Sequence, residues 1–141
     1  MRSTSPDVEL ASQLRIAIAR SARRLRQESG TGLSPSLTAA LATVARHGPL
    51  TPSELAARER VQRPTVTRIV FRLEEAGLVA RAADPGDRRS SLITVTPAGR
   101  ELLAAARTRK DAFLSERLDA LGAADRATLE RAAALLEGMF E

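Results

Sequence analysis

Between residues 51 and 96 the apolar pattern of the chain switches from a helical period to an alternating one, and few folds accommodate that switch. Thr51-Pro52-Ser53-Glu54 is a capping box with proline at the first helical position, and Leu50 and Leu55 stand where a hydrophobic staple closes. This predicts a helix over residues 51–59. After a break around Val61-Gln62, a second helix opens near Arg63-Pro64. Its apolar residues Val66, Ile69, Val70 and Leu73 recur at i, i+3, i+4 and i+7 and need a core. Pro64, Thr65, Thr67, Arg68 and Arg72 then point away from that core. Gly77 ends the helix at a C′ position. Residues 78–83 read as a strand, Asp84-Pro85-Gly86-Asp87-Arg88-Arg89 as a turn, and residues 91–96 as the return strand, with Ile93 and Val95 facing inward. Helix, turn, helix and a two-stranded wing form a module suited to reading DNA.

The flanks are helical. Residues 7–28 carry Leu10, Leu14, Ala17, Ile18, Ala22 and Leu25 on one side and Arg15, Arg20, Arg23, Arg24 and Arg26 on the other. A solvated face explains that arginine run more simply than DNA contact does. Gly30 and Gly32 stop the helix. Ser34-Pro35 caps the next, which carries Leu37, Leu41 and Val44 and ends at Gly48-Pro49. Thr96-Pro97 opens a long helix with Leu102, Leu103, Ala106, Phe113, Leu114 and Leu118. Gly122 breaks it, and Asp125 lies near the start of a last helix lined by Leu129, Ala132, Ala133, Leu136, Met139 and Phe140. Residues 1–6 are expected to be disordered. The terminal helices present more apolar surface than one small winged lobe can cover, and a homodimer interface is the simplest use for it. The expected fold is therefore mainly α with a two-stranded β wing. A winged helix-turn-helix over residues 34–96 is flanked by dimerisation helices at 7–29 and 97–140, all within one domain of residues 1–141.

Composition narrows the chemistry. The 141 residues carry a net charge of +5, and every basic residue except Lys110 and the lone histidine is arginine. That balance suits a polyanion, and arginine suits bidentate contacts to phosphate or guanine; a GC-rich coding bias accounts for it equally well. There is no cysteine, so disulfides, thiolate metal sites and thiol redox chemistry are excluded. The one histidine, His47, cannot build a metal site alone and fits the last turn of a helix, where a cation meets the dipole favourably. No apolar run approaches the ~18 residues of a membrane span, and the N-terminus lacks a signal-peptide core, so a cytoplasmic protein is expected. No nucleophile–base pair, phosphate-cradling glycine loop or paired carboxylates suggest an enzyme, so neither catalytic residues nor a cofactor are expected.

The module and its flanks together resemble the MarR family of bacterial transcription regulators. The resemblance is carried by Leu50-Thr51-Pro52-Ser53-Glu54-Leu55-Ala56, by Pro64-Thr65-Val66-Thr67-Arg68, and by Leu73-Glu74-Glu75-Ala76-Gly77-Leu78-Val79. The wing is its most specific part: Asp84-Pro85-Gly86-Asp87-Arg88-Arg89, then Ile93, Val95, Thr96 and Gly99. The similarity runs from the first helix to the last. It implies a homodimer on palindromic operator DNA, repressing its own promoter and neighbouring genes, and released in many members by a small aromatic or phenolic acid. Lack of cysteine removes the peroxide- and thiol-sensing branch of the family. Phe71 departs from the pattern by standing on the outward side of the second helix, where it either touches a thymine methyl or, the favoured reading, packs against a neighbouring element.

In a helix-turn-helix the second helix enters the major groove with its N-terminal residues at base edges. That places Arg63, Pro64, Thr65, Thr67 and Arg68 nearest the bases, and Arg72 at a phosphate. Thr51 and Ser53, with the free N–H groups of their helix start, are set for phosphate. Arg89 is expected to reach the minor groove with its guanidinium held by Asp87, and Arg88 completes the basic tip. Effector-pocket residues are not assignable from the sequence. The alternative function is a winged helix that binds protein and no operator.

Overall fold

A computed structural model describes residues 5–141. The element order is α1 (Pro6–Glu28), α2 (Pro35–His47), α3 (Pro52–Glu59), α4 (Arg63–Glu75), β1 (Val79–Asp84), β2 (Asp87–Val95), α5 (Pro97–Asp119) and α6 (Ala123–Met139). The chain is therefore mainly helical with a two-stranded antiparallel wing. The disorder expected of residues 1–6 falls largely outside the described residues, though Pro6 already belongs to α1. Two compact units result: Ser29–Arg107, and the stretch before Ser29 together with Thr108–Glu141.

The Ser29–Arg107 unit closes its own core. The Ser34 hydroxyl accepts the Leu37 N–H at 3.3 Å and starts α2, which buries Ala40, Leu41 and Val44. The capping box of α3 is formed in both directions: Glu54 N–H donates to Thr51 Oγ1 at 3.2 Å, and Thr51 N–H donates to the Glu54 carboxylate at 3.3 Å. Leu50 and Leu55, on either side of that cap, both join the core. α3 stops at Arg60, which takes a left-handed φ of 54°, so the chain reverses into α4 over a short link. The stripe Val66, Ile69, Val70 and Leu73 is buried as a set. At the far end Gly77, with φ 73°, lets the Leu78 N–H return to Leu73 O at 2.9 Å and its own N–H to Glu74 O at 3.0 Å, a Schellman-like closure. Leu41, Leu55, Leu73 and Ile93 are wholly buried, each contributing about 1.5–3 kcal/mol of apolar burial.

The wing differs from the sequence reading. The expected six-residue turn at 84–89 is only Pro85-Gly86, because the Asp84 carboxylate accepts the Gly86 N–H at 2.9 Å and closes a tight reversal. β2 accordingly begins at Asp87 rather than Ser91. Asp84 pairs with Asp87 and Ala83 with Ser91, so Arg88, Arg89 and Ser90 are extruded as a bulge. At the base of the wing, Leu50 N–H donates to Ile93 O at 3.1 Å and Ile93 N–H to Leu50 O at 2.7 Å, locking the α2–α3 loop to β2.

Thr96 joins the wing to α5. Its hydroxyl donates to Gly77 O at 2.6 Å and accepts the Gly99 N–H at 3.1 Å. A side chain at Gly99 would run into Leu78 O and the Val95 side chain, so only glycine fits there. These two bonds and one close approach are the physical reason for threonine at 96 and glycine at 99.

The terminal unit has a different character. Neither α1 nor α6 buries a single residue. Leu10 (55%), Leu129 (48%), Met139 (65%) and Phe140 (78%) are well exposed. Within this unit the Phe113 ring is stacked by the guanidiniums of Arg117 at 3.5 Å and Arg24 at 4.7 Å. Arg24 is in turn paired with Glu28 at 2.5 Å. Among the described residues no helix is long and apolar enough to cross a membrane.

Candidate nucleic-acid interface

With its apolar stripe committed to the core, α4 leaves Pro64, Thr67, Arg68 and Phe71 exposed on the opposite side. These positions are spaced i, i+3, i+4 and i+7, so they form one outward ridge. Phe71 is 56% exposed. Phe71 is therefore not part of the buried cluster of the lobe, where the packing reading would have set it deepest. Thr67 donates its hydroxyl to Arg63 O at 3.0 Å, which commits its hydrogen and leaves its lone pairs to accept.

Two grooves flank this ridge. One, of about 220 Å³, lies toward the start of α2 and is lined by Ser34, Ser36, Leu37, Thr65, Arg68, Ile69 and Arg72. The other, of about 170 Å³, lies toward the wing; Arg63, Arg81, Arg89, Ser90 and Ser91 contribute its charged and serine lining. Arg68 and Arg72, read from the sequence as a base reader and a phosphate contact, thus open on the same groove. Arg63 turns to the other side, where its Nη1 donates to Ser53 Oγ at 2.5 Å.

The start of α3 offers less to an anion than the sequence suggests. The capping box consumes the N–H groups of Thr51 and Glu54, and Pro52 has none. The Ser53 N–H remains, together with the hydroxyl hydrogens of Thr51 and Ser53.

In the wing, Asp87 does not hold the Arg89 guanidinium. Its carboxylate accepts the Arg89 backbone N–H at 2.9 Å. A side chain two residues upstream on a bulged strand meets the main chain before it can reach the end of a long arginine. Asp87 therefore fixes the shape of the bulge, and the bulge carries the exposed Arg88 and Arg89 out of the ladder.

Sequence reasoning missed Arg81. It sits on β1 opposite Ile93, and its Nε donates to Glu74 Oε2 at 3.1 Å. Alternation carried a signal: Arg81 shares the face of buried Val79.

A helix-turn-helix whose second helix buries one face, exposes an arginine-bearing ridge on the other and is followed by an arginine-tipped hairpin defines the winged helix-turn-helix class. Comparison with known proteins agrees with that class and refines it. The chain belongs to the MarR family: the model of that family matches residues 33–91, and a relative aligns over nearly the whole length. That relative, the HTH-type transcriptional regulator Mb0904 of Mycobacterium bovis, itself uncharacterized, is 41% identical over 136 residues, covering 96% of this chain and 95% of its own. A transcriptional regulator protein of Pseudomonas aeruginosa superposes with a TM-score of 0.87 at 33% identity, covering 99% of this chain and 100% of that one. A mutant of MepR from Staphylococcus aureus, bound to an oligodeoxyribonucleotide, shares the fold at a TM-score of 0.72 and 18% identity, over 94% of this chain and 98% of its own. The family and these relatives are regulators rather than enzymes.

Proposed function

We propose that this chain is a sequence-specific, homodimeric regulator that represses transcription by occupying palindromic operator DNA in the cytoplasm. The observation that carries the reading is the division of α4 into a buried stripe and an outward ridge of Pro64, Thr67, Arg68 and Phe71, with arginine-lined grooves on both sides. That is the geometry a major groove requires of a recognition helix. The same fold is found on an oligodeoxyribonucleotide in the MepR mutant.

In this reading Pro64, Thr65, Thr67 and Arg68 face base edges, Phe71 meets a thymine methyl, and Arg63, turned toward Ser53, lies beside the backbone. Arg72, Thr51 and Ser53 take phosphates, and Arg88 and Arg89 enter the flanking minor groove from the bulge that Asp87 shapes. The lobe of residues 34–96 reads DNA, while helices at 7–29 and 97–140 hold two copies together through their open apolar faces. Two-fold symmetry of the protein is then matched by two-fold symmetry of the site.

Release by a small aromatic acid follows from the family resemblance and has one physical support. A cavity of about 300 Å³ in the terminal unit has Leu25, Phe113 and Leu114 as apolar lining and Arg20, Arg24 and Arg117 as cations. An aromatic ring with a carboxylate matches that combination. To release DNA, such a ligand must bind the free dimer more tightly than the DNA-bound one.

Selection of bound duplexes from a random pool, followed by fluorescence anisotropy, tests the function. Enrichment of an inverted repeat bound at nanomolar concentration is expected. No duplex preference, and binding no tighter than a generic basic protein shows, would leave a protein-binding winged helix instead.

A further inference from the structure

The geometry points to Arg81 as an additional DNA-backbone contact of this lobe, aimed at a phosphate by Glu74. It rests on the DNA reading above and adds two residues outside the recognition helix ridge and the wing tip.

Arg81 sits on β1 in register with Ile93. It lines the groove between α4 and the wing with Arg63, Arg89, Ser90 and Ser91. Three guanidiniums and two serines line that groove, and no carboxylate does. A groove of about 170 Å³ with this lining suits a small tetrahedral anion. Its position adds a geometric reason. If α4 lies in the major groove and the wing tip in the adjacent minor groove, the space between them is where a sugar–phosphate strand must pass.

The three cations are not equivalent. Arg63 already donates to Ser53, and Arg89 extends from the bulge. Arg81 is held through Nε, which donates to Glu74 Oε2 at 3.1 Å. That leaves both terminal amino groups of its fork to meet two phosphate oxygens. The pair is a poor stability device, since its side chains are 39% and 41% exposed. What it does supply is direction. An arginine fixed at Nε loses less rotamer freedom when its fork closes on a phosphate, so Glu74 is a positioning residue and Arg81 the ligand.

The test uses the full chain, the selected duplex and an unrelated duplex, with anisotropy titrations over a series of salt concentrations. Arg81→Ala is expected to weaken both duplexes alike by about tenfold and to make the log–log salt slope shallower by about one. Arg81→Lys restores the slope but only part of the affinity, because it returns the charge without the fork. Glu74→Ala weakens binding a few-fold in the native background and has no effect beside Arg81→Ala. Thermal melts of each variant check folding, and the lysine variant carries the test if the alanine variant is unstable. Native chain that binds DNA with an Arg81→Ala slope unchanged would overturn the Arg81 assignment alone. Tighter binding by Glu74→Ala would show the carboxylate to be a competitor and overturn its positioning role. Failure of the native chain to bind any duplex would instead overturn the DNA reading, and this assignment with it.

Discussion

The Ser29–Arg107 unit and the terminal helices are built from similar proportions of leucine and alanine, yet only one of them hides its apolar residues. In the first, thirteen residues from Ala40 to Ile93 form one buried cluster. In the second, α1 and α6 bury nothing, and a groove of about 480 Å³ lined by Leu14, Ile18, Leu136, Met139 and Phe140 stays open. The contrast shows which part of the chain closes a core of its own. The apolar stripes of the lobe meet one another within the same stretch of chain, and caps at Ser34, Thr51 and Thr96 fix where its helices begin. The terminal helices leave their apolar residues open, so in the dimeric reading their folding energy and their function both await a second copy.

Breaking the terminal unit should have the largest effect on function. Ile18→Glu or Leu136→Glu places a charge in the open groove and should yield monomers by light scattering. Loss of the paired half-site then costs on the order of 10²–10⁴ in operator affinity, with the lobe still folded by circular dichroism. A variant that stays dimeric would refute the assignment of this face.

The stability of the two units should separate next. Leu73→Ala opens a hole in a closed core and should cost about 2–5 kcal/mol in urea unfolding, independent of protein concentration. Leu129→Ala, at a site 48% exposed, should instead lower the midpoint of a transition that shifts with protein concentration, because in the dimeric reading its partner lies on a second copy. Equal, concentration-independent losses would erase the distinction drawn above.

Within the lobe, Arg68→Ala should lose ~1–3 kcal/mol on the selected operator and relax preference at one base pair, whereas Arg72→Ala should weaken all duplexes about equally. Both arginines open on the same groove, so identical behaviour of the two variants is the sharpest way to reject their separate roles.

The smallest effect concerns Asp87. Asp87→Asn keeps an acceptor for the Arg89 N–H while removing the charge, so operator affinity should move by less than about 0.5 kcal/mol. A loss as large as that of Arg89→Ala would restore the guanidinium-holding role that the sequence suggests.

How far the sequence can be read follows from the range of the forces involved. The capping box at Thr51, the stripe of α4 and the stop at Gly77 are local, needing only neighbours within one or two turns, and all three stand where the pattern predicts. The bulge at Arg88, Arg89 and Ser90 is hidden from the sequence because register depends on both strands at once: Asp84 closes the turn early, and the surplus residues must go somewhere. Arg81 escapes for the same reason, since its meeting with Glu74 links a strand to a helix. Phe71 reads as a packing residue, yet it stands more than half exposed, since the stripe that α4 buries lies on its other face. The candidate interface is thus legible as a set of residues, and its pairings are not.

One measurement bears most directly on the division between a reading lobe and pairing ends: the mass of the complex with a selected duplex, by size-exclusion chromatography with multi-angle light scattering. Two chains per duplex, with the free protein also a dimer, is the expected result. A single chain bound per duplex at full affinity would contradict it.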